Sequence, residues 1–450
     1  MKLAHAVCVM FLVALAETGC AGHAAKTQGA RSALDAGDPR GALKALNETL
    51  EVASEKDLPQ KVGGDNSLLL LDRAMVLQEL EQYPLSSRDL EVSDKQIEVL
   101  DLSANAAADI GRYLFSDDVG PYKAPAYEKL MINTMNMMNY LARSDLNGAR
   151  VEARRLAVMQ KFTREKADAA RSLLGPGSYL AGFVFEKSGK PEDALRYYDE
   201  ALAYGQYQSL AEPIRRLSQQ AGYSSPRFRE LLSKTPAPDS TAADAPKEDD
   251  AEVLVIVNFG RVPAKIAKRV PIGLALTYAS GIISPMDEAR ANKLALQGLV
   301  TWVNYPELGE PRGSYGQPSF QLDGQWQHLE GMLAVDQEAK RAWEKARGAI
   351  IASAITRVIA RVATGETAKA VAGGGIFGEL LSLGTQATLT ATDTPDTRNW
   401  STLPARIAFG RVRIRPGKHT LTLTAAGGRK RQTVNVSPGG WAVVCLTALN

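Results

Sequence analysis

The side chains able to do chemistry are few and scattered. His328 and His419 fall in separate expected elements, with no cysteine or second histidine spaced to share a metal. The acidic pairs Asp117-Asp118 and Asp249-Asp250 sit in expected loops, where water keeps a carboxyl at its ordinary pKa and unsuited to general acid work. Gly373-Gly374-Gly375 lacks the preceding strand and following lysine of a phosphate-cradling loop, and reads as a hinge or a tight packing site. The sequence contains no HExxH, CxxC, GxxxxGK or Gly-x-Ser-x-Gly pattern. Cys445, near the C-terminus, reads as a small apolar group in a strand. No catalytic residue, cofactor or metal is expected from these patterns.

The elements around these residues carry more information than the residues do. The chain has 450 residues, 45% hydrophobic and 23% charged, which is ordinary for a water-facing globular protein and suggests two or three domains. Its formal charge is only +3, and no basic run interleaves with aromatics, so nucleic acid is not an expected partner.

Lys2 gives a weakly basic start, and Ala6 to Ala16 form an uncharged apolar stretch too short to span a bilayer. Thr18-Gly19-Cys20-Ala21 then resembles a bacterial lipobox, although Glu17 stands where an aliphatic residue is usual. The resemblance implies export and acylation of Cys20. Ala21 after the cysteine then implies the periplasmic face of the outer membrane, with a soluble periplasmic protein as the alternative and an uncleaved anchor as a third reading.

The fold class read from the sequence is a tetratricopeptide-like (TPR-like) α-solenoid, a disordered linker and an α+β domain ending in an antiparallel β-meander. The boundaries are a signal peptide over 1–19, a tether over 20–30, helical repeats over 31–232, linker over 233–250 and the α+β domain over 251–450. The clearest repeat runs from Ser178 to Tyr204, where Ala181-Gly182 and Phe185 precede a Gly189-Lys190-Pro191 turn, and Ala194, Tyr198 and Ala201 follow it. Echoes occur at Gly37, Ala42 and Leu46, at Tyr83-Pro84, and at Ser144, Ala149 and Ala153. On one predicted helix Tyr127, Leu130, Met131, Thr134, Met135 and Met138 share a face, which reads as repeat core or as an adaptable methionine-rich groove for a partner helix.

Ser233 to Asp250, with three prolines, no aromatics and an acidic end, reads as a spacer. Beyond it, Glu252 to Val257 fits a strand buried on both faces, and a strand is expected up to Pro306-Glu307-Leu308. A long helix is expected from Asp336 towards Ala363, with an apolar stripe of Ile351, Ile355, Val358 and Val362. Four strands near 406–414, 420–425, 433–436 and 441–446, with Pro-Gly and Gly-Gly turns between them, form the expected meander.

Several segments together resemble a family of bacterial lipoproteins with tetratricopeptide-like repeats and a C-terminal module. They are Tyr127-Glu128-Lys129-Leu130 with Tyr140-Leu141, Val151-Glu152-Ala153-Arg154, Trp302-Val303-Asn304-Tyr305-Pro306-Glu307-Leu308, and Asp396-Thr397-Arg398-Asn399-Trp400-Ser401-Thr402-Leu403-Pro404. The family's genes often lie beside one for a penicillin-binding-protein activator lipoprotein, which implies a role in envelope maintenance by association. Asp396, Arg398 and Trp400 also fit a staple, a carboxylate–guanidinium pair and a ring locking a loop onto a sheet.

The expected function is a non-enzymatic envelope scaffold that binds envelope proteins through its repeats and the membrane through its lipid. The alternatives are a self-assembling or membrane-associating component using the 348–391 segment, and a cell-wall enzyme using a carboxylate pair. The candidate partner contacts are Tyr127, Met131, Met135, Met138, Trp302, Tyr305, Arg398 and Trp400, and Cys20 is the lipidation site.

Overall fold

A computed structural model describes residues 22–99, 122–166, 172–236, 249–296, 302–313, 316–371 and 395–450. The segment expected as a signal peptide, Cys20, Asp117-Asp118, residues 237–248 of the expected linker and Gly373-Gly374-Gly375 lie outside the described residues.

The amino half is helical: α1 (His23–Lys26), α2 (Gln28–Asp35), α3 (Pro39–Thr49), α4 (Asp65–Glu79), α5 (Tyr83–Gln96), α6 (Ala126–Ala142), α7 (Leu146–Lys166), α8 (Leu174–Lys187), α9 (Pro191–Tyr204), α10 (Ala211–Ala221) and α11 (Pro226–Lys234). A two-residue parallel pair, β1 (Glu98–Val99) with β2 (Lys123–Ala124), interrupts it. Residues 23–30, read as part of a tether, are instead α1 and the start of α2, with His23, Thr27 and Ala30 buried. The reason is that Thr27, Ala30 and Leu34 present a helical apolar face to the body.

Four hairpins, α2/α3, α4/α5, α6/α7 and α8/α9, close with the same turn. Gly37, Glu81, Ser144 and Gly189 each adopt a left-handed φ, between 55° and 75°. The next amide in each turn, that of Asp38, Gln82, Asp145 or Lys190, donates back to the carbonyl five residues earlier. Five residues after each left-handed position stands a small side chain, Ala42, Ser86, Ala149 or Ala194, each 0% exposed. These small contacts let paired helices approach closely. The sequence echoes at Gly37, Ser144 and Gly189 mark three of these turns.

In α4, α6 and α8 nearly every residue is buried, because neighbouring helices cover one side and a sheet covers the other. The carboxy half supplies that sheet. Its elements are β3 (Ala251–Arg261), β4 (Lys265–Pro271), α12 (Ile272–Ala279), α13 (Pro285–Leu296), β5 (Trp302–Leu308), β6 (Ser319–Leu322), β7 (Gln325–Gln327), β8 (Glu330–Ala334), α14 (Val335–Val371), β9 (Pro404–Ile414), β10 (Gly417–Ala425), β11 (Gly428–Val436) and β12 (Trp441–Ala448).

The central sheet has the order β12-β3-β9-β8, and the outer sheet β11-β10-β6-β7. Along β3, Leu254 and Ile256 join the core shared with the helices, while Val253, Val255, Val257 and Phe259 face the outer sheet. Burying each such side chain contributes about 1.5–3 kcal/mol over leaving it exposed. Thus the two halves separated at 233–250 share a core between the helices and the central sheet, and a second core lies between the central and outer sheets.

The four final strands do not form a meander. β9 and β12 pair with β3, antiparallel and parallel respectively, whereas β10 and β11 form a hairpin in the outer sheet. The mostly buried strands β9 and β12 went to the middle layer, and β10 and β11, which alternate buried with open residues, went outside.

A third core lies in a ribbon of β4 and β5 packed on α12, α13 and residues 343–359 of α14. Pro306, expected to stop a strand, sits inside β5 opposite Ala267. The stripe residues Ile351 and Ile355 are fully buried in this module. The 37 residues of α14 give it a length of about 55 Å. No described helix is long and apolar enough to cross a membrane.

Candidate functional site

The segment before β9 lacks regular structure, so its backbone polar groups must find partners elsewhere. It finds them in the helical half. Arg398 and Asp396 form a two-pronged pair, Nε to Oδ1 and Nη2 to Oδ2, both at 2.8 Å. The indole Nε1 of Trp400 donates to the Leu71 carbonyl at 3.1 Å, and the Trp400 amide donates to Glu128 Oε1 at 3.1 Å. The amide and hydroxyl of Thr402 donate to Asp72 Oδ1 at 3.0 and 2.9 Å. Asn399 accepts from the Lys265 amide and donates to the Pro263 carbonyl, tying the same segment to the start of β4. The staple read from the sequence is present, and it clamps helices α4 and α6 rather than lying only on a sheet.

Charges beneath this segment are strongly perturbed. Burial pushes the Glu128 carboxyl up, although the hydroxyls of Tyr122 and Tyr127 and the Trp400 amide all donate to it. Burial likewise pushes the Lys265 ammonium down, opposed by Asp396 and Glu128. Asp72 also faces His23 Nε2 at 3.5 Å, with both side chains 1% exposed. The sequence reading missed His23, and no spacing signal links it to Asp72.

Most of the candidate partner contacts lie inside the protein. Tyr127, Met131, Met135 and Met138 are 6, 0, 0 and 1% exposed, because neighbouring helices and the central sheet together enclose α6. Met138 Sδ meets the Asn258 amide of β3 at 3.5 Å. Arg398 and Trp400 are 2 and 0% exposed, and Tyr305 is buried with its hydroxyl donating to Glu307 at 2.7 Å. The groove expected for a partner helix is therefore filled by the chain's own helices and sheet. Trp302 alone of these eight is open, 43% exposed, with the Arg269 guanidinium 5.3 Å from its ring centre.

Two cavities lie where helices meet strands. One, of about 550 Å³, is bordered by Tyr204, Tyr207, Gln208, His328, Glu330, Gln337 and Arg341. Among the described residues of its lining Glu330 is the single carboxylate; burial pushes it up and it accepts from the Ser209 amide at 3.2 Å. A carboxylate pair for glycan cleavage needs a second acid there. The nearby Glu338 is instead bonded to Ser172 and Arg341.

The other cavity, of about 210 Å³, is lined by Lys187, Glu212, Arg216, Asp250, Glu252, Arg411 and Arg413. At its floor Arg411 Nη2 reaches Glu186 Oε2 at 2.8 Å and Glu252 Oε2 at 2.9 Å, while Nη1 donates to the Tyr198 hydroxyl at 2.9 Å. Burial alone would raise the Glu186 pKa, but Arg411, Lys187 and Arg216 outweigh it and hold the carboxyl well below its usual range. These charges satisfy one another across the joint between the halves. Among the described residues no group of histidines, cysteines and acids could hold a metal ion.

Sequence reasoning also passed over a hairpin. Asp323 and Gly324 both have positive φ, 49° and 82°, and join β6 to β7, leaving Trp326 69% exposed. Asp-Gly between short alternating segments was a readable signal for it. Compared with known proteins, the chain matches no protein-family model and no curated protein.

Proposed function

We propose that this chain is a non-enzymatic cell-envelope lipoprotein, anchored through Cys20 at the periplasmic face of the outer membrane, that acts as a protein-interaction or assembly scaffold. The stack of hairpins with equivalent turns and small contacts supports a tetratricopeptide-like reading, although the turns at Gly37, Glu81, Ser144 and Gly189 lie further apart than that repeat's roughly 34 residues. Because the chain's own sheet covers α4, α6 and α8, the partner surface lies elsewhere.

One observation carries this reading. Ile266, Leu274, Ile282, Met286, Leu296 and Trp302 are exposed apolar side chains gathered in the module of β4, α12, α13 and β5. A concentration of this kind marks contact surfaces on otherwise polar proteins. The proposed partners are envelope proteins, including a second copy of the chain.

Photo-crosslinkers placed at Ile282 and Trp302 in growing cells test the reading. Adducts to an envelope protein are expected from these sites and not from Lys44 on α3. Recovery of the mature protein from the cytosol, or adducts equally distributed over all three sites, counts against it. Labelled palmitate incorporation, expected to vanish in Cys20→Ser, tests the anchor separately.

A further inference from the structure

The outward face of the outer sheet is not needed by the fold. Strand register places Arg431, Thr422, Gln321 and Trp326 directly opposite one another in a single row across β11, β10, β6 and β7. The residues that alternate with them, Leu421, Leu423 and Phe320, point into the buried core, so the row points out. Neighbouring rows add Thr424 opposite both Arg429 and Ser319, and Thr420 opposite Thr433.

The chemistry of this face is specific. Trp326 is 69% exposed, and no ring or cation of the described residues lies against it. Arg429 and Arg431 are exposed and project from the same side of β11, and neither forms an ion pair among the described residues. Between the indole and these cations stand hydroxyls and an amide, groups that both donate and accept hydrogen bonds, and the Asp323 carboxylate at the β6–β7 turn is taken up by His419 and the Thr420 amide. At the usual strand spacing the row is about 14 Å long.

We infer that this face binds an acidic glycan, a sugar chain bearing carboxylates. The C–H face of a sugar ring stacks on Trp326, its hydroxyls exchange hydrogen bonds with Gln321, Thr422 and Thr420, and its carboxylates meet the guanidinium groups of Arg429 and Arg431. A nucleic-acid strand fits less well, because its regularly spaced phosphates would meet neutral groups along the middle of the row and only one stacking ring. The site is separate from the apolar module, and it stands whether or not the chain is a scaffold.

Calorimetric titration of the purified protein with a galacturonic acid oligomer, and with soluble peptidoglycan fragments, tests the inference. Saturable binding to at least one is expected, weakened about tenfold by Trp326→Ala and by Arg431→Gln. The distant surface variant Arg40→Gln should bind as the parent does, and all three variants should melt where the parent melts. Esterifying the oligomer's carboxylates should weaken its binding. The inference is overturned by absence of binding to both probes, by parental affinity in Trp326→Ala, or by tighter binding to a single-stranded oligonucleotide or to phosphatidylglycerol vesicles.

Discussion

Trp400 and Trp326 share a residue type and little else. Trp400 is 0% exposed, and both its indole and its backbone amide donate to groups in the helical half. Trp326 is 69% exposed on a strand at the sheet's edge. The seam around Trp400 closes on itself, as Arg398 with Asp396, Thr402 with Asp72 and Glu128 with its three donors illustrate. The outer face around Trp326 leaves its polar groups to the solvent. The contrast separates polar groups that hold the fold together from polar groups that remain available to another molecule.

The seam should fail first when cut. Trp400→Ala removes a buried ring and its indole hydrogen bond to the Leu71 carbonyl, so a loss of about 3–5 kcal/mol is expected in denaturant unfolding. A loss under about 1 kcal/mol would mean that the loop is not a clamp.

A second prediction sharpens the comparison with pH. Burial pushes the Glu79 carboxyl, which accepts from the Leu449 amide at 3.3 Å, up to about 7 from an ordinary 4.5. A raised acid favours folding while protonated, so its contribution is present below about pH 4.5 and is lost as pH rises through 7. Glu79→Gln should therefore stabilise the protein at pH 8 by on the order of 2–3 kcal/mol, and by little at pH 4.5. Parallel stability–pH curves for parent and variant would place Glu79 outside the closed region. The smallest effect belongs to the open face, where Trp326→Ala should change stability by within about 0.5 kcal/mol.

Local features were legible in the sequence, and covering relations were not. The β-branched run Glu252 to Val257 announced a strand buried on both sides, and it is the middle of three layers. Gly37, Ser144 and Gly189 announced turns because each stands beside a helical pattern that must end. The shared face of Met131, Met135 and Met138 was apolar as read, but periodicity states which side is greasy and not what lies on it. Its cover includes Asn258, distant in sequence, which donates to Gln78 Oε1 at 3.2 Å, and no local pattern announces such a contact. The division of the last four strands between two sheets escaped for the same reason. The Asp323-Gly324 turn was readable and was passed over.

His23 is already packed against Asp72 and the Ala24 amide already donates to Thr397 Oγ1, so the folded body begins only three residues beyond Cys20. An extended stretch of that length reaches about 10 Å. Were Cys20 acylated as proposed, the protein could not roam on a leash. It would stand with one fixed side against the lipid headgroups, and the leaflet itself would decide which of its surfaces other molecules can approach.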